Sequence, residues 1–358
     1  MEINRLTMGG GNPQRSVGLD IVRSLAVLFV ITSHYFLNSD FQQTDFGGIE
    51  MFIFSVGQTL FMANVPLFLL LTGYLNLNKT ISRKYYSGWK KVVTSYLLIS
   101  VITILVGKYY FGDTYTIFQW FHKIMDFSAI NYAWYIEMWL GLFLIIPFLN
   151  ILWHALGSRS NHQFLIAVVI ILTALPSFCN RYNLHIIPDF WAGIWPLMYF
   201  FVGAYIRTYK PQVERKILML TAVVLCLINP VFNALFVHGR PMMHIAANTQ
   251  GILLMPLPVI IFLLVYQAGV KSSVARRIFT SVSVLSLDIY LFSYIFDRLY
   301  YPMIGEWIGG TEPHFTIWFV LAVTAVFCSA WACSWLKEAL LAVPVNIKKR
   351  IRPSTVAD

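Results

Sequence analysis

Ten apolar runs constrain this chain more than any single motif. They lie at about residues 17–37, 50–75, 92–111, 132–153, 163–178, 189–208, 216–236, 250–270, 279–301 and 315–336. Most are close to the roughly 20 residues that cross a bilayer as a helix, and the fifth is short. Composition supports the reading. Charged residues make up 12% of the 358-residue chain, and hydrophobic residues make up 58%. A soluble globular chain carries about 25% charge, so too few charges remain here to cover a water-facing surface. A soluble enzyme, a disordered chain and a disulfide-stapled secreted module are excluded. The expectation is an all-α, polytopic membrane bundle of about ten helices. The run from Val17 to Leu37 is too long for a signal-peptide core and is expected to be retained as the first span.

Lysine and arginine set the expected orientation. Twenty of the 26 basic residues fall in the two tails or in alternate loops, including Lys79–Lys91. By the positive-inside rule both termini should be cytoplasmic. This divides the chain into a tail at 1–16, a membrane domain at 17–336 and a basic tail at 337–358. The net charge of +10 is spread between hydrophobic runs rather than gathered on one face, so nucleic acid is not an expected partner; the lipid bilayer is. Cys179, Cys226, Cys328 and Cys333 form no paired spacing, and neither a disulfide framework nor a metal site is expected. A weakly amphipathic stretch near Phe118–Phe127 suits the membrane surface.

Ionisable residues at membrane depth are the candidates for function, because each costs about 2.5–3.5 kcal/mol to insert. The first run carries Asp20, Arg23 and His34. Eleven positions at 100° each bring Arg23 and His34 to within about 20° of one helix face, about 16 Å apart along the axis. Asp20 lies one turn below Arg23. Arg23 alone would also suit a snorkelling side chain, and His34 alone a satisfied core residue; the shared face suggests one lined cavity. Glu137, near the outer end of the fourth run, has a depth similar to His34. It could orient the imidazole as the carboxylate does in hydrolase triads, or bond another helix. Asp288 and Asp297 are nine positions apart and face opposite ways, so at most one shares a cavity with His34. Asn64 and Gln58 read as helix–helix glue. The Lys79–Lys91 loop, with Tyr85, Tyr86 and Trp89, reads either as positive-inside charge or as a docking patch for a phosphorylated donor. An outer loop with His238, Arg240 and His244 gives a weak acceptor signal.

Several of these segments resemble the acyltransferase 3 family of integral membrane acyltransferases. Gly18–Leu19–Asp20–Ile21–Val22–Arg23 followed by Ser33–His34 is similar to its arginine–ten–histidine opening. Val65–Pro66–Leu67–Phe68 with Thr72–Gly73–Tyr74 resembles its second-helix motif, and Ser95–Tyr96 follows the basic loop as in the family. Trp134–Tyr135 with Gly141–Leu142 and Pro147, and Ser286–Leu287–Asp288–Ile289–Tyr290–Leu291, resemble later motifs. The family's usual glycine is here Asp288, its usual late histidine is Ser293, and a histidine some members carry before Trp134 is replaced by Tyr132–Ala133. These departures add weight to His34.

The resemblance implies transfer of an acyl group, usually acetyl, from cytosolic acyl-CoA to a hydroxyl of a cell-surface or exported glycan or lipid-linked saccharide, in the bacterial inner membrane. Acetyl-CoA would be a donor substrate; no bound cofactor is implied. On this reading His34 is general base or acyl relay and Glu137 orients it. Arg23, Lys84 and Lys90 hold coenzyme A, and Asp20, Trp134, Tyr74, Asp288 and Ser293 support the site. The competing reading is a secondary transporter using Arg23, His34 and Glu137 as a substrate or proton site. No pair of similar halves in the hydropathy favours it. A scaffold that tolerates loss of His34 is the third.

Overall fold

The computed structural model describes residues 15–180, 185–243, 251–308 and 315–351. His244 lies outside them. Of the described residues 77% are helical, and none lies in a strand. In order the helices are α1 (Val17–Asn38), α2 (Gly48–Phe61), α3 (Asn64–Asn76), α4 (Arg83–Tyr86), α5 (Trp89–Tyr109), α6 (Ile117–Met125) and α7 (Trp134–Leu156). There follow α8 (Arg159–Thr173), α9 (Pro176–Cys179), α10 (Pro196–Tyr209), α11 (Arg215–Phe236), α12 (Pro256–Val265), α13 (Ser273–Ile308) and α14 (Phe315–Ile351).

Among the described residues, eight helical segments are long and apolar enough to cross a membrane, against the ten expected. The shortfall falls on the sixth and eighth runs. Their helices, α10 and α12, begin at Pro196 and Pro256 and have 14 and 10 residues. A proline starts a helix readily but cannot be continued from behind, since it lacks the N–H and restricts the residue before it.

The second run is broken in a way that matters for the site. Pro66 has no N–H to offer the carbonyl one turn back, and the helix interrupts at Met62–Ala63 between α2 and α3. Asn64 stitches the break to α1. Its amide donates to the Ser33 hydroxyl at 2.8 Å, and Ser33 donates to the Phe61 carbonyl at 3.1 Å. The residue beside His34 is therefore anchored by the freed backbone of its neighbour.

Two buried clusters form the interior. One joins α3, α10 and α12; the other joins α1, α13 and α14. α3 crosses α10 at the van der Waals limit of the backbones: a Cβ at Gly73 would overlap the Phe200 carbonyl, and one at Gly203 the Leu70 carbonyl. α1 and α13 run parallel. The Thr280 hydroxyl donates to Asp20 at 3.3 Å near one end, Arg23 donates to Ser283 at 3.4 Å, and His34 meets Asp297 near the other.

The expected domain boundary at 336 falls inside α14. Lys337, expected in a solvated tail, is buried, and its Nζ lies 2.7 Å from Asp288 Oδ2 and 2.8 Å from the Ser95 hydroxyl. A buried ammonium must be paired to be tolerated, and Asp288 pairs it.

Candidate active site

His34 and Asp297 are both buried, 7% and 2% exposed, and His34 Nδ1 stands 3.5 Å from Asp297 Oδ2. That is ion-pair range rather than a good hydrogen bond. The same Asp297 oxygen accepts a 2.8 Å bond from the Tyr132 hydroxyl. The Tyr132 ring stacks on the imidazole with centroids 3.5 Å apart, and Asn38 donates to both the Tyr132 hydroxyl and the His34 carbonyl. The Tyr290 hydroxyl in turn donates to the Tyr132 carbonyl. The imidazole thus faces a carboxylate 3.5 Å from Nδ1, which makes no hydrogen bond among the described residues, and stacks on a ring whose hydroxyl is tied to Asp297 and Asn38. Asp297 Oδ1 has no hydrogen-bond partner among the described residues.

A cavity of about 250 Å³ rises toward this cluster from the end of the bundle that carries the Lys79–Lys91 loop. Arg23, Thr72 and Asn76 line its lower part, and Tyr135, Val30 and Tyr290 its upper part. Val30 is one turn below His34 on α1, and the Tyr290 ring lies 6.3 Å from the imidazole. From Val65 down to Asn76, both lining, α3 spans about 16 Å. Arg23 and His34 do share a face: one lines the cavity and the other stands past its upper end.

The expected site residues divide accordingly. Arg23 lines the cavity, and Ser293 is fully buried one turn below Asp297, its hydroxyl donating to the Tyr290 carbonyl at 2.8 Å. Glu137 does not orient His34. Ile136 is buried, and Glu137, about 100° further round α7, is exposed and pairs with no described residue. The carboxylate at the imidazole is Asp297. Asp288 faces away from it, as the nine-residue spacing requires, and is consumed by Lys337. Tyr74 turns to α10 and α12, where Arg207 lies over its ring at 5.0 Å, and does not support His34. Trp134 is exposed, and its neighbours Tyr135 and Trp139 line the cavity instead. Asp20 is bound by Arg15 through two 2.7 Å bonds, outside the cavity. Lys84 and Lys90 are exposed, and Val92, two residues after Lys90, lines the cavity. Tyr132 and Asn38 were not expected. The sequence signal for Tyr132 was only its position in place of a histidine. Among the described residues no histidine, cysteine and carboxylate group gathers as a metal site.

Eight helical segments long and apolar enough to cross a membrane define a multi-pass membrane protein, and the buried His34–Asp297 pair lies inside its bundle beside an internal cavity. The chain belongs to the acyltransferase 3 family, whose profile, described as an acyltransferase domain, matches residues 16–335. No curated protein and no solved structure matches the chain.

Proposed function

We propose that this acyltransferase moves an acyl group, acetyl in the simplest case, from cytosolic acyl-CoA to a hydroxyl of a glycan or lipid-linked saccharide at a bacterial inner membrane. The observation that carries the reading is the cavity that begins among Arg23, Thr72 and Asn76 and ends one turn below the His34–Asp297 pair. A long thin donor threads such a space. Its phosphates meet Arg23, Lys84 and Lys90, and its thioester lies near Tyr290.

On this reading His34 acts as a general base. With Nδ1 turned to Asp297, Nε2 is left for the acceptor hydroxyl. It removes that proton as the oxygen attacks the thioester carbonyl. A C–O bond forms, the C–S bond breaks, and the imidazolium returns the proton to the departing thiolate. Asp297 stabilises the imidazolium, and a dry site strengthens that interaction.

The test is transfer of labelled acetyl from acetyl-CoA to envelope glycan in membranes. General base catalysis is worth about 10²–10⁴. His34→Ala should therefore lose activity by at least that range at matched expression. Equal labelling with wild type and His34→Ala removes His34 from the chemistry.

A further inference from the structure

A second cavity, of about 320 Å³, lies on the other side of the His34 cluster. Its lining is of a different kind. Arg298 donates to both oxygens of Asp113, at 2.8 and 3.0 Å, and each side chain remains partly exposed to the cavity. Lys123, Ser128 and Asn131 add polar groups, and Tyr115 and Tyr294 add two rings. Thr103 is 4% exposed, lines the cavity, and its hydroxyl has no hydrogen-bond partner. A buried hydroxyl without a partner costs free energy unless something supplies one.

The position is equally specific. Arg298 follows Asp297 and Asn131 precedes Tyr132. The Tyr294 ring stands 5.2 Å, edge-on, from the Tyr132 ring that stacks on His34. Two rings, Tyr294 lining the cavity and Tyr132 behind it, therefore separate this cavity from the imidazole. Tyr290 does the same for the cavity that holds Arg23.

We propose that the second cavity is the acceptor site and that its occupant is a saccharide. This rests on the reading of His34 as the base for acyl transfer. A sugar ring offers apolar C–H faces to Tyr115 and Tyr294. Its hydroxyls donate to Asp113 and accept from Arg298, Lys123, Asn131 and Thr103. The two cavities then deliver donor and acceptor to one imidazole from opposite ends of the bundle, and the Tyr294 and Tyr132 rings must swing aside for the acceptor hydroxyl to reach it.

Thiol labelling separates this proposal from the functional reading. Asn131→Cys and, separately, Leu75→Cys are introduced, and each is labelled with a maleimide in detergent, read above the background of the native cysteines. The probes are coenzyme A and a mixture of methyl glycosides of glucose, galactose and N-acetylglucosamine at tens of millimolar. The glycosides should slow labelling at 131 severalfold and leave 75 unchanged, and coenzyme A should do the reverse. Adding Lys123→Ala or Tyr115→Ala should weaken the glycoside effect about tenfold, the scale of one charge-assisted contact. Glycosides without effect at 131, while coenzyme A protects 75, overturn the acceptor site and leave the enzyme reading intact. Protection at 131 by glycosides, with none at 75 by coenzyme A, keeps the saccharide site and overturns the acyl-CoA reading.

Discussion

At the scale of the residue, the partner of His34 is the point of leverage. Asp297→Asn keeps the shape and removes the charge that would stabilise an imidazolium. It should lower kcat by about 10²–10⁴ with little change in the KM for acetyl-CoA, checked by steady-state transfer assays. Glu137→Gln should leave both constants within about twofold, because an exposed side chain without a described partner perturbs little. Lys337→Met strands a buried aspartate. Its cost should be about 3–5 kcal/mol, read as a lower unfolding midpoint, and Asp288→Leu added to it should recover much of the loss. Asp113 lines the second cavity. The hydrogen bonds from Arg298 outweigh its partial burial and hold its carboxyl below the usual value. A lowered carboxyl contributes stability above the ordinary aspartate range and loses it as pH falls through the lowered value. The melting temperature of wild type should therefore fall more than that of Asp113→Asn in that acidic window and not at neutral pH.

At the scale of the element, the break between α2 and α3 does more than interrupt a long helix. It supplies the Phe61 carbonyl and the Asn64 amide that hold Ser33, and so the rotation of α1 at His34. Asn64→Ala leaves the buried Ser33 hydroxyl with one fewer partner. It should lower kcat more than it changes donor KM, with a stability cost of about 1–3 kcal/mol, measured together on the purified protein. Pro66 lies in an apolar run that reads as one span at 50–75, and nothing in the sequence says that the helix breaks there or which helix uses the freed groups. The α6 helix was visible as the Phe118–Phe127 stretch. Its capping box, Thr116 with Gln119, sharpens its start, and Ile117, Phe118, Phe121 and Met125 form its exposed apolar stripe. The shortness of α10 and α12 was not legible, because an apolar run scores alike whether or not a proline begins its helix late.

At the scale of the whole molecule, the two ends of the bundle differ in chemistry. The basic loops and Arg23 lie toward one end, and the Asp113–Arg298 cavity toward the other. The positive-inside pattern predicts which end meets the cytoplasm. A cysteine at Ser87 should label with an impermeant reagent only in inside-out vesicles, and one at Gly112 only in right-side-out vesicles. Reversed labelling would exchange the donor and acceptor ends.

Sequence alone determined the membrane class, the helical content, the family and the common face of Arg23 and His34. The family follows from the resemblance of several motifs in their order along the chain; the other three follow from composition or from the 100° step within a single helix, where position along the chain is position around the axis. It also determined that Asp288 and Asp297 could not both face His34. Only the tertiary structure decided that Asp297, rather than Glu137, meets the imidazole, and that Lys337 is not a tail residue but the partner of Asp288. The physical reason is that periodicity orients a side chain on its own helix and says nothing of how that helix is rotated against its neighbours. That rotation is set by packing between helices far apart in the chain: Ser33 against Asn64, Arg23 against Ser283, and the bare backbone at Gly73 and Gly203.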